Sequence, residues 1–157
     1  YNRHIAATDA AIGRLLDALP EEVIVVVTSV HGDMHGSHGK FRKGWPHEES
    51  VRVPFLVAGD LRREGGGVVP SPVSLLDLPD MSRAWSEGRT WECQRDRAPI
   101  SMPSVVALPD QCNRVWSGWR SAERKVIRLA DGSPWLEFDL VNDPVEQRNL
   151  ASPRSQS

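Results

Sequence analysis

The run Val23-Ile24-Val25-Val26-Val27 limits the fold more than any other stretch of this chain. All five residues are β-branched, so each is stiff at χ1 and suits an extended backbone better than a helix. The run does not alternate with polar residues. That is the pattern of a strand covered on both faces, as in a parallel sheet flanked by helices. Upstream, Ile5, Thr8, Ile12, Leu15, Leu16 and Leu19 recur at three- and four-residue steps. This spacing predicts an amphipathic helix over residues 4–19, stopped by Pro20. A helix leading into a buried strand over residues 22–28 is half of a crossover unit. The chain opens at Tyr1 without Met and enters this helix at once, which reads as a truncation. Any targeting segment would then have been lost.

Downstream, residues 51–58 read as a second strand, with Pro54 marking an edge or bulge. Gly65-Gly66-Gly67 is a turn, and residues 74–77 start a short helix ended by Pro79. Residues 80–113 show no sustained period and read as an irregular excursion. Three short strands follow at residues 115–119, 125–129 and 135–140, with a turn at Asp131-Gly132. Asp143-Pro144-Val145-Glu146 reads as a helix start, with a cap, a first-turn proline and a carboxylate that reaches back. The tail from Ser152 reads as frayed. Formal net charge is −2 in 157 residues, so no basic footprint argues for nucleic acid. No apolar run reaches the roughly 18 residues of a membrane span. Cys93 and Cys112 allow either one disulfide or two free thiols.

The stretch richest in chemistry is Thr28-Ser29-Val30-His31-Gly32-Asp33-Met34-His35-Gly36-Ser37-His38-Gly39, directly after the Val-rich strand. In open α/β sheets, ligands bind beyond the carboxyl ends of strands. Four of the five histidines fall between positions 31 and 47, and Lys40, Arg42 and Lys43 add positive charge. Imidazoles beside ammonium groups suit a metal ion together with an anionic substrate. Two other readings compete. One is a solvated polar loop. The other is a zinc module of His31, His35 and His38, for which the spacing is loose and no Cys is near.

The motifs resemble the sulfatase family of the alkaline-phosphatase-like superfamily. They are Ile12-Gly13-Arg14-Leu15-Leu16, then Thr28-Ser29-Val30-His31-Gly32-Asp33, then Gly36-Ser37-His38-Gly39. Lys43 follows, then Glu48-Glu49-Ser50-Val51-Arg52-Val53-Pro54, and near the end Asn142-Asp143-Pro144-Val145-Glu146. The resemblance implies an α/β fold, with part of an alkaline-phosphatase-like parallel sheet followed by a small antiparallel C-terminal sheet with a helix. It divides the chain into residues 1–79 from the catalytic domain, an irregular linker or insertion over 80–113, and a C-terminal subdomain over 114–157. It implies hydrolysis of an aryl or carbohydrate sulfate with the help of a divalent metal, usually calcium. By the same resemblance His31 is a metal ligand, Lys43 neutralises the sulfate group, and His38 lies near the leaving group. A metal and a Lys would stabilise charge on the equatorial oxygens, and a His would protonate the departing alkoxide.

Two departures from the pattern matter. The family's nucleophile is a formylglycine made in a Cys/Ser-x-Pro-x-Arg motif, and this sequence contains no such motif. Cys93 precedes Gln94-Arg95-Asp96-Arg97, and Cys112 precedes Asn113-Arg114-Val115-Trp116. The family's Asp before His31 is Val30 here, which replaces a carboxylate ligand with an isopropyl group. Two alternatives to a sulfatase fragment therefore stand. One is a non-catalytic remnant of such an enzyme, and the other is part of a related phosphonate or phosphodiester hydrolase. In the family, position 47 is usually Tyr, whereas here it is His47.

Overall fold

Helix α1 spans Asn2–Asp17, and none of its residues is buried. Its apolar stripe is open to solvent, with Ile5, Leu15 and Leu16 all exposed. Strand β1, Val25–Thr28, follows Pro20 and is half-buried except at its exposed end, Thr28. The computed structural model describes residues 2–20, 22–59 and 67–151. Gly65 and Gly66 of the glycine turn and the tail from Ser152 lie outside the described residues.

The expected parallel sheet is not what β1 joins. Strand β2, Phe55–Ala58, pairs with β1 antiparallel, from Val25 opposite Ala58 to Thr28 opposite Phe55. Among the described residues there are two sheets, and both are antiparallel throughout. The reason lies in the connection. A parallel pair needs a crossover of a dozen or more residues, usually a long helix. Between β1 and β2 the chain is long enough but has only a coiled loop, the 3-10 turn Ser37–Gly39 and the one-turn helix α2, Glu48–Val51, with no helix to carry a crossover, and it doubles back. The unbroken β-branched run marked a strand correctly, but it did not specify the direction of its neighbour.

Pro79 does not end a helix. It sits in the first turn of α3, Leu78–Ser86, where its missing N–H is not needed. Ser74 and Asp77 form a capping box just before it. Residues 80–113, which lack a period in the sequence, contain most of α3 and all of β3, Arg97–Met102. Strand β3 is the first of a four-stranded meander with β4, Trp116–Ser121, β5, Arg124–Leu129, and β6, Pro134–Asp139. The three last strands are those expected from the sequence, displaced by one or two residues.

The core of this half contains Cys112, Trp116 and Ile127, packed by Trp45, Val51, Ile100, Met102, Trp135 and Leu136. A side chain on Gly118 would meet the Val126 carbonyl at 2.1 Å, so β4 and β5 approach closely there. Both cysteines are free thiols.

The helix expected at Asp143 is a turn. Asp143 does cap, since its carboxylate accepts from the backbone N–H groups of Gln147 and Arg148 at 3.0 and 2.7 Å. Glu146, however, adopts a left-handed φ of 57° that stops a helix, and its side chain is buried. Instead of reaching back to the cap, its carboxylate faces Lys125 at 2.6 Å.

Candidate anion site in the loop after the first strand

The loop from Ser29 to His47 is tightly coiled. His35, His38 and Arg42 have φ values of 46°, 54° and 57°, and Gly36, Gly39 and Gly44 are also left-handed. Such conformations cost free energy for residues with a Cβ and cluster at functional sites. Main-chain bonds hold the coil, with Met34 N–H donating to the Arg42 carbonyl at 2.9 Å and Gly36 N–H to that of Lys40 at 2.9 Å. Met34 is buried at its centre. Gly32 N–H donates to the Ser50 carbonyl at 2.8 Å and ties the start of the loop to α2.

This coiling brings together His31 and Lys43, twelve residues apart. Lys43 Nζ lies 3.0 Å from His31 Nε2. His31 Nδ1 lies 2.8 Å from the Gly32 carbonyl, which can only accept. The proton of a neutral ring must therefore sit on Nδ1, leaving the Nε2 lone pair to accept from the ammonium. The pair forms a positively charged, exposed corner beyond the end of β1. It can receive an anion, with the ammonium as a donor of fixed charge.

His38 lies elsewhere. It occupies the 3-10 turn Ser37–Gly39, and its Nε2 is 3.6 Å from Glu49 Oε1. Its ring packs on that of His47 with centroids 4.2 Å apart. His47 is 5% exposed and also contacts Phe138. Burial pushes its pKa down to about 3, with the charges of His38, Lys40 and Lys125 adding to the effect. Its imidazole is therefore neutral at any mildly acidic pH. Position 47 reads as a loop residue in the sequence, yet it is among the most buried polar groups.

The sequence says little of what holds the backbone that follows Lys43. The meander holds the backbone of residues 43–48 at several points. Trp116 Nε1 donates to the Gly44 carbonyl at 2.8 Å. Lys125, fully buried, donates to the Pro46 carbonyl at 2.9 Å and faces Glu48 at 2.7 Å and Glu146 at 2.6 Å. Glu48 N–H donates to Glu146 at 2.8 Å, and Arg120 reaches the Glu48 carboxylate at 3.2 Å. Burial raises the pKa of Glu48, but Lys125 and Arg120 together outweigh it and hold the carboxyl below its usual value. For Glu146 burial wins, and its carboxyl is pushed up. Arg52 is 3.9 Å from the Glu48 carboxylate and mostly in solvent. One sequence cue exists for Lys125, which alternates onto the same face of β5 as the buried Ile127.

The His-Gly loop, the following lysine and the Glu-Glu-Ser segment, in this order, define a hydrolase family, and the chain belongs to it. This is the sulfatase family, whose model, named Sulfatase, matches residues 1–81. The chain is 32% identical to an arylsulfatase of Clostridium perfringens over 96% of its own length and 35% of the relative's. It is also 32% identical to an ulvan-active sulfatase of Formosa agariphila, over 96% of this chain and 34% of that one. In structure it resembles a protein solved with its substrate D-glucosamine-2-N,6-O-disulfate. The TM-score is 0.69 at 22% identity, covering 93% of this chain and 34% of that one, a likeness of fold. The chain thus spans about a third of the length of the curated relatives it matches. No helix among the described residues is long and apolar enough to cross a membrane.

Sulfatases typically bind a divalent metal. The donors that this chain offers beside Lys43 do not fit a hard cation. Val30 is 83% exposed and has no lone pair, and the one ring nitrogen available, His31 Nε2, already accepts from an ammonium. A calcium ion takes six to eight oxygens, and a neighbouring ammonium repels it. Val30→Asp should therefore raise calcium affinity of the chain by about tenfold or more, since ligand charge sets affinity. Titration calorimetry of the variant against the parent checks this, and equal affinities would refute the account.

Proposed function

We propose that the chain forms part of a sulfate ester hydrolase in which Lys43, with His31 beside it, receives the sulfate group. The observation that carries this reading is the 3.0 Å contact between Lys43 Nζ and His31 Nε2, within a chain of the sulfatase family. A sulfate oxygen placed at the ammonium gains a charge-assisted hydrogen bond, and the bond strengthens as negative charge builds on the equatorial oxygens. His31, its Nδ1–H fixed by the Gly32 carbonyl, orients that ammonium from the other side. The formylglycine nucleophile lies outside these 157 residues, and the substrate is an aryl or carbohydrate sulfate, as for the relatives. His38 has no part in this proposal, because its contacts are with Glu49 and His47.

The test is a titration of the chain with inorganic sulfate, followed by the side-chain NMR signals of Lys43 and His31. Both signals should move together in a saturable way, and Lys43→Met should abolish the response. Sulfate that moves neither signal overturns the proposal. A second reading, a non-catalytic remnant that keeps only the anion corner, is favoured by the exposed Val30. A chromogenic aryl sulfate separates the two when the chain is supplied with the nucleophile-bearing segment of a relative. Turnover supports the hydrolase, and sulfate binding without turnover supports the remnant.

A further inference from the structure

A second group of donors lies behind the loop, independent of the anion corner. His38, Glu49 and Glu146 each offer a ligand atom, and these atoms all lie within 4.8 Å of one another. They come from three separate places, namely the 3-10 turn of the loop, helix α2 and the C-terminal turn. Beside them stands His47, 5% exposed, whose Nδ1 has no hydrogen-bond partner. A buried, unpaired ring nitrogen costs free energy and calls for an explanation. Its ring lies against that of His38 at 4.2 Å.

The charges point the same way. Glu48, Glu49 and Glu146 are three carboxylates. Lys125 and Arg120 are the cations held close to Glu48 and Glu146, with exposed Arg52 farther out at 3.9 Å. Among the described residues Glu49 has no Lys or Arg ion-pair partner, and its carboxylate lies 3.6 Å from His38. The cluster therefore has room for added positive charge at the edge formed by His38 and Glu49. Glu146 would share its carboxylate between that charge and Lys125, as bridging carboxylates can, since each oxygen has two lone pairs.

We propose that His38, Glu49 and Glu146 bind a divalent cation of the zinc class, with the ring of His47 packed on His38 beside them. Mixed imidazole and carboxylate donors suit zinc, cobalt or manganese and do not suit calcium, which takes oxygen alone. The side chain of Glu49 is 35% exposed and gives the ion its path from solvent, while His38 is mostly enclosed. The bound ion staples the loop to α2 and to the C-terminal turn, which is a structural role.

The experiment is calorimetric titration of the 157-residue chain with Zn2+, repeated with Co2+ to read coordination from its visible absorption. One ion per chain is expected at this site. His38→Gln and Glu49→Gln should each weaken binding about tenfold or more, while His31→Gln and His35→Gln should leave it unchanged. Equal binding by the first two variants and the parent overturns the proposal, as does no binding by the parent. Should His38→Gln unfold, two readings remain that do not depend on it. One is the Glu49→Gln titration. The other is the ring-nitrogen NMR of the parent, where Zn2+ must move His38 before His31 or His35. A first response at His31 or His35 refutes the site.

Discussion

Lys125→Met is expected to destabilise the chain by about 3–5 kcal/mol. The methionine fills nearly the same volume, so the loss is electrostatic rather than one of packing. In the parent, the buried ammonium lies 2.7 Å from Glu48, 2.6 Å from Glu146 and 2.9 Å from the Pro46 carbonyl. Without it, Glu48 retains Arg120, but Glu146 keeps only a backbone N–H and remains buried. An uncompensated buried carboxylate accounts for most of the penalty. Glu146→Gln added to Lys125→Met should therefore recover part of the loss. Urea unfolding followed by tryptophan fluorescence measures both steps, since Trp116 sits in the core beside β5. A Lys125→Met variant within about 1 kcal/mol of the parent would show the cluster to be an exposed pair in effect, of the kind worth little.

Gly32→Ala should have the second largest effect and acts on the site itself. A Cβ at position 32 would lie 1.9 Å from the Glu49 carbonyl oxygen and 2.9 Å from its carbon. Both are backbone atoms of α2, so no side chain can swing aside. Either the loop lifts from α2 and the hydrogen bond from Gly32 N–H to the Ser50 carbonyl breaks, or α2 shifts. Overpacking of this kind costs about 1–3 kcal/mol and sometimes more. His31 is the preceding residue and moves with the loop, away from Lys43. The expected result is a lowered urea midpoint together with loss of the sulfate response at His31. An alanine variant that keeps both would show that the loop is not seated as described.

Much of the meander could be read from alternation and turn residues, because strands of six residues with Asp131-Gly132 between two of them leave few options. Direction was harder. The valine run reads as a strand covered on both faces, but a strand's direction relative to its neighbour depends on the connection, and a looped connection carries no periodic signature. The Asp143 segment carries helix-start residues, and its cap does form. The helix does not, because the carboxylate of Glu146 is drawn to a buried ammonium from a distant strand. His31 and Lys43 were found through the family pattern, since twelve residues of irregular loop give no rule for proximity. Trp116 reads as a packing residue and does pack in the core, but the burial of Lys125 and the reach of Arg120 to Glu48 carry no sequence mark, because Lys and Arg are almost always exposed.

The hold of the meander on residues 43–48 has a consequence for assembly order. Trp116 reaches back 72 residues to Gly44, Lys125 reaches back 79 to Pro46, and Glu146 reaches back 98 to Glu48. Such distant closures come late, after local turns and hairpins have formed. During synthesis the residues of the anion corner thus emerge, with their local main-chain bonds, well before the distant groups that hold residues 44–48. A nascent chain stalled short of Glu146 would carry every residue of the corner without the frame that sets it.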